Sequence, residues 1–295
     1  MNRNNNWNSS LYIAAVPLGL AAAYLVVCWP FEALVSVQRH LGAGSEVVTE
    51  STPPTMPGAQ IGFLILFFAA VAGLALVAAV RRFIEPNEIE PNSFPGTWRT
   101  RTLMSAGLFP IGLCMASLLS PEDAENLSRT SDYDNPAQWW NSAHLLVAGS
   151  AEEPFFSALP VLLLFGVVGL VWRVQPWMLG IVIASSALFR ASIHLYQGTG
   201  QALSAFVWGA VAVYVYYRLR SLTGLVLAHT AWNAFVIANN GDYTAAQIVI
   251  GGCIAFTALW SIYRLSNTST FDHSDRACPT AAAGHTSNAT SEGHR

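Results

Sequence analysis

The stretch Ser150-Ala151-Glu152-Glu153-Pro154-Phe155-Phe156 sets two adjacent carboxylates at the mouth of an apolar run that continues to Trp172. Ionisable groups at membrane depth are costly to desolvate and are kept where they act, so a Glu-Glu pair there marks a functional site. Two later apolar stretches each supply a histidine, His194 and His229, able to meet it.

Composition justifies the membrane reading. Of 295 residues, 53% are hydrophobic and only 11% are charged, whereas soluble domains carry roughly a quarter charged residues. Several apolar runs reach the roughly 20 residues that cross a bilayer as helix. The expected fold class is all-α, a polytopic bundle of about eight transmembrane helices: 11–29, 61–80, 103–119, a fourth that opens on the Glu pair and ends at Trp172, then 177–196, 202–217, 222–238 and 245–263. The first run is too long for a signal peptide, carries only Arg3 ahead of it and ends without a small-x-small site, so it is expected to be retained. The lipid bilayer is the first partner implied, and no nucleic-acid partner is expected.

This count divides the chain into four segments: a cytoplasmic N-terminus (1–10), three helices with their loops (11–138), a core of five helices (139–263) and a disordered cytoplasmic tail (264–295), rich in Ser, Thr, Ala, Gly, Asn and His. All 14 basic residues are arginine. With eight spans, eleven of them fall on one side: Arg3, Arg81, Arg82, Arg99, Arg101, Arg173, Arg218, Arg220, Arg264, Arg276 and Arg295. Arg39 and Arg129 fall on the other, and Arg190 lies inside the fifth span. Positive charge stays in the cytoplasm, so both termini are expected there, in a multi-pass protein of the cell membrane. The four cysteines show no CxxC spacing and read as packing residues.

This topology puts Glu152 and Glu153 near the outer end of the fourth span. His194 lies about 17 residues into the fifth, or roughly 26 Å along it. His229 and Asn233, about 7 and 11 residues into the seventh, lie at roughly 11 and 17 Å. The expected site is therefore a cone open to the extracytoplasmic side, with His229 nearer the midplane.

Peptide hydrolysis needs a water, a base and donors for the oxyanion. A glutamate can be the base, a histidine can hold the water, and an Asn amide can complete the oxyanion site. His229 and Asn233 are spaced i, i+4 and share a helix face, as do Arg190 and His194. Each feature also has a plain structural reading. Ser150-Ala-Glu-Glu153 has the form of a capping box, His194 suits a wetted helix end, and His229 with Asn233 suits an interhelical polar clamp. Their recurrence on helices aimed at one region favours a shared polar site. His144 reads as interfacial, and neither GxSxG nor HExxH occurs.

At these residues the chain resembles the CPBP family of intramembrane proteases, the CAAX-processing and bacteriocin-processing group. That family carries Glu-Glu-x-x-x-Arg, Phe-x-x-x-His and His-x-x-x-Asn or Asp in order on separate helices. Here stand Glu152-Glu153, the block Leu188-Phe-Arg-Ala-Ser-Ile-His194-Leu-Tyr-Gln-Gly198, and His229-x-x-x-Asn233. The extended His-Leu-Tyr-Gln-Gly form resembles an actinobacterial branch. Two positions depart: Ser157 stands where the family has Arg, and Arg190 where it has Phe. The expectation is that Arg190 supplies the missing guanidinium to a carboxylate of the fourth span.

The resemblance implies an eight-helix fold and an intramembrane endopeptidase acting on a peptide or membrane-protein substrate. It implies Glu152 as base, His194 holding the water, His229 and Asn233 as the oxyanion site, and Glu153 in support. A zinc ion on Glu152, His194 and His229, with an open position for water, is one option; a water held by protein groups alone is the other. Two further readings compete: a non-catalytic membrane scaffold or immunity protein of the same fold, and a small transporter. A transporter predicts repeats between the halves, and the first three spans hold no counterpart of the Glu-Glu or His motifs.

Overall fold

The protein's structure, a computed structural model, describes residues 56–88, 94, 96–118, 136–168, 172, 174–240 and 243–274, with isolated positions between 34 and 41. Among these residues the fold is all helical. In chain order the helices are α1 (Met56–Glu88), α2 (Trp98–Ser117), α3 (Pro136–Glu153), α4 (Leu159–Leu163), α5 (Pro176–Ile193), α6 (Thr199–Leu219), α7 (Leu222–Asn240) and α8 (Thr244–Ser274). Two π-helical stretches, Pro154–Ala158 and Leu164–Val168, flank α4, so 136–168 is one continuous helical rod. The predicted first span lies outside the described residues.

Five helical segments are long and apolar enough to cross a membrane: Gln60–Arg82, Ser142–Gly166, Pro176–Ile193, Thr199–Leu219 and Thr244–Asn267. The third and seventh predicted spans, now α2 and α7, have the length, at 20 and 19 residues, but are not among these five. Their position explains the difference. α2 packs against α6, α7 and α8, and α7 also against α3, so these two helices face protein on several sides. α1 lies on α3, and α5 on α6. The rod and α6 are mostly interior, whereas α1, α5 and α8 turn most of their surface outward.

Between helices in lipid there is little hydrophobic drive; close packing and polar contacts hold the bundle. Met104 and Phe109 of α2, Leu159 and Leu162 of α4, Val213 and Tyr216 of α6, and Leu225 of α7 form its buried centre. Close approach depends on small residues. A Cβ on Gly107 would collide with Ser261 and the Thr257 carbonyl of α8. One on Gly224 would collide with the Thr102 carbonyl and Ser105 of α2. Beside Gly224 the Thr102 and Ser221 hydroxyls bond at 2.8 Å, and Ser105 Oγ donates to the Ser221 carbonyl at 3.0 Å.

The rod requires its own repair. Pro160 has no N–H, so the Phe156 carbonyl four residues earlier loses its α-helical donor. The π stretch rises around this defect, with the Leu159 N–H bonding the Pro154 carbonyl, and the Ser186 hydroxyl of α5 donates to the Phe156 carbonyl. A helix neighbour thus re-satisfies backbone that proline has freed, the condition for proline at membrane depth.

Two boundaries differ from expectation. The fourth helix starts at Pro136, so the Glu pair is not at its mouth. Glu152 lies 10 residues past Ser142, roughly 15 Å into a 25-residue span. The polar look of 136–150 hides a helix that packs against α1 and α7, with the Leu145 and Leu146 carbonyls accepting bonds from α7. His144 stands within α3 beside Gly62 of α1, two residues past the start of the membrane-spanning stretch. At the other end α8 continues to Ser274, so 264–274 are helical and not part of a disordered tail; 275–295 lie outside the described residues.

Gly107→Ala and Gly224→Ala should each destabilise the bundle by about 1–3 kcal/mol through overpacking. Gly180→Ala, where nothing lies within 4 Å, should leave stability unchanged or raise it by about 0.5–1 kcal/mol. Thermal unfolding in detergent measures all three, and equal effects would refute the close-approach account.

Candidate active site

Glu153 is completely buried, and three groups converge on its carboxylate. Ser157 Oγ, one turn along the rod, donates to Oε2 at 2.6 Å. His229 Nδ1 of α7 donates to Oε1 at 2.9 Å. Arg190 Nη2 of α5 lies 3.3 Å from the same Oε1. The guanidinium, itself buried, rests on aromatic faces: the Trp208 ring of α6 at 4.3 Å and the Phe156 ring at 5.2 Å. Cation–π contact supplements the ion pair where water is excluded. The expected pairing of Arg190 with a carboxylate of the fourth span is present, and the carboxylate is Glu153.

Two glycines make the room. A Cβ at Gly149 would sit 2.8 Å from His229 Cβ, and one at Gly209 would sit 3.1 Å from Arg190 Cδ. Trp208 then stands among the functional side chains, edge-on to both His229 at 5.2 Å and His194 at 6.0 Å. Phe109 closes the far side of His229 at 5.7 Å.

Successive helical residues point about 100° apart, so Glu152 faces elsewhere. Its Oε2 lies 4.0 Å from His194 Nε2, and the two side chains keep about a fifth of their surface open, 18% and 21%. Both of these facing atoms are buried and without a hydrogen-bond partner. The other ring nitrogen, His194 Nδ1, is 2.9 Å from Gln197 Oε1. The site thus divides into a saturated cluster (Glu153, Ser157, Arg190, His229) and an open pair (Glu152, His194).

The expected depth offset of His229 is gone, because the Glu pair sits mid-span and His229 touches it directly. Arg190 and His194, though spaced i, i+4, part company: α5 ends at Ile193, and each side chain takes a different carboxylate. Asn233 is one turn beyond His229, but its Nδ2 donates to the Leu145 carbonyl of α3 at 2.7 Å, and Thr230 Oγ1 bonds the Leu146 carbonyl at 3.3 Å. These contacts clamp α7 to α3. A zinc ion would need Glu152, His194 and His229 to converge within bonds of about 2 Å. His229 Nδ1 is engaged by Glu153, which leaves Nε2 as its ring nitrogen for a ligand. Among the described residues no three His, Cys, Asp or Glu are arranged to hold a metal.

Sequence reasoning saw Ser157 only as a departure and did not single out Trp208, Gly149, Gly209 or Ser186. Ser157 carried a signal in its i+4 spacing from Glu153. The others are apolar or small residues in apolar helices, where only the neighbouring helix shows what they do.

Removing one partner of a buried ion pair strands the other charge and costs roughly 3–5 kcal/mol. Arg190→Ala should therefore destabilise the protein by that order and cripple any activity of the site. Adding Ser157→Arg, within one turn of Glu153, should restore part of both. Thermal unfolding and activity of the double variant are the measurement, and no recovery in either would count against an exchange of the guanidinium between the two positions.

No curated protein and no solved structure matches the chain. Residues 136–235 match the model of the family described as Type II CAAX prenyl endopeptidase Rce1-like, a segment that begins with α3 and ends just beyond Asn233. The ordered motifs and three of the five membrane-spanning helices lie in this same segment, so over 136–235, less than half of the chain, the protein is similar to that family of intramembrane proteases.

Proposed function

We propose that this chain is an intramembrane endopeptidase that cleaves a membrane-associated peptide or protein with a water held between Glu152 and His194. One observation carries the reading: Glu152 Oε2 and His194 Nε2 face each other at 4.0 Å, both buried and both without a hydrogen-bond partner. The gap is too wide for a direct bond. Two hydrogen bonds of about 2.8 Å that meet at one water span about 4 to 4.5 Å.

In this reading Glu152 takes a proton from the water as its oxygen bonds to the scissile carbonyl carbon. The carbonyl oxygen becomes the oxyanion. Collapse of that adduct breaks the C–N bond, and the proton on Glu152 passes to the departing amine. His229 and Asn233 are the proposed oxyanion donors. With Nδ1 donating to Glu153, His229 can donate from Nε2 only as an imidazolium, whose charge Glu153 faces. Asn233 retains a second amide hydrogen beyond the one given to Leu145. Glu153 supports by fixing His229 and Arg190. The donor geometry favours a water held by protein groups over one held by zinc. The arginine distribution supports a site open to the extracytoplasmic side of the cell membrane, with both termini cytoplasmic.

Peptide-library cleavage by the purified protein in detergent, wild type beside Glu152→Ala and with or without a chelator, tests this. Cleavage should fall by at least about 100-fold in the variant, the scale of losing a general base, and should survive the chelator. Loss with the chelator and recovery with zinc would replace the protein-held water by a metal-held one. Identical cleavage by wild type and variant would move the reading to a non-catalytic scaffold.

A further inference from the structure

The block His194-Leu195-Tyr196-Gln197-Gly198 has a backbone of its own. α5 stops at Ile193, His194 caps it at φ −93° and ψ −1°, and Leu195–Gln197 form a single 3₁₀ turn. Gly198, at φ 113°, then turns the chain straight into α6; residues with a Cβ adopt that conformation only under strain. In a 3₁₀ turn the side chains at i and i+3 eclipse. Gln197 is thereby carried back over His194, and its Oε1 comes within 2.9 Å of Nδ1.

An amide oxygen can only accept, so the ring proton sits on Nδ1. A neutral imidazole has a single N–H, which leaves Nε2 as a lone pair. Nε2 is the atom that faces Glu152 across the 4.0 Å gap. An Nε2–H would instead be a donor beside a carboxylate, free to close the gap to a direct bond.

We infer that Gln197 is a positioning residue that fixes His194 as the Nδ1–H tautomer, so that two acceptors face each other and select a small molecule able to donate two protons: water. The inference rests on the reading of Glu152 and His194 as the water-holding pair. It also gives the block a reason: the histidine acts, the glutamine sets its tautomer, and the glycine allows the turn that brings the glutamine back.

The test uses full-length protein labelled with ¹⁵N-histidine in detergent, with the His194 signal assigned by its loss in His194→Asn. Wild type should show His194 protonated at Nδ1. Gln197→Leu should shift it toward Nε2–H and lower kcat by about 10- to 100-fold, the range found when an outer partner of a working histidine is removed, with KM unchanged. Gln197→Glu, which keeps an acceptor at that place, should retain both the tautomer and most of the activity. An Nε2–H ring in wild type, or a tautomer indifferent to Gln197→Leu, would overturn the inference. Those spectra do not require turnover. Failure of wild type to cleave in a Glu152-dependent manner would sink the protease reading and leave the tautomer result standing, so the two failures are distinguishable.

Discussion

A carboxylate with no access to water must be answered by its neighbours, and Glu153 is answered from three places in the chain. A hydroxyl from its own rod, an imidazole from α7 and a guanidinium from α5 meet on its two oxygens. An unpaired charge at that depth would cost several kcal/mol, so these helices cannot drift apart without stranding it. α5 gains most from this. Little of its surface is buried, yet Arg190 and Ser186, one turn apart, bind it to the rod through a charge and a backbone carbonyl.

The same cluster leaves its neighbour free. Because consecutive helical residues diverge, a Glu-Glu dipeptide in a helix cannot serve one purpose twice. Glu153 is committed to architecture, while Glu152 keeps an oxygen directed at His194. The pair thus combines an immobile charge with an available one, and Trp208 borders both, touching Arg190, His194 and His229. Rigid aromatic packing around the open pair fixes the ring of His194 without drawing on its nitrogens.

Much of this was legible in the sequence. Apolar runs and scarce charge gave the helical membrane class, and the spacing of His229 to Asn233 and of Glu152 to Glu153 named the helices that meet. Arg190 was legible as a replacement for the guanidinium absent at Ser157, because a buried arginine needs an anion and the Glu pair was the nearest in kind. Depth was not legible. Residues 136–150 mix Gln, Asn, Ser and His with Trp and Leu, and hydropathy cannot tell a wet approach from a helix packed against other helices. α2 and α7, which also pack against several helices, are likewise not among the five apolar spans. Glycine contacts such as Gly149 on His229 depend on which helix lies opposite, a matter that one sequence does not encode locally.

The prolines of the rod have a consequence for phase. A stretch of i→i+5 bonding takes up an extra residue relative to α-helix, equivalent to a rotation of about 100° between the helical segments on its two sides. The helical wheel that places Glu152 and Glu153 therefore does not extend past Pro154, and a second shift occurs at Leu164. Upstream of the first shift the rod presents its acidic face to α5 and α7. Downstream it is free to present Leu159 and Leu162 to the apolar centre. The two prolines let one helix hold two independent azimuths, one set by chemistry and the other by packing.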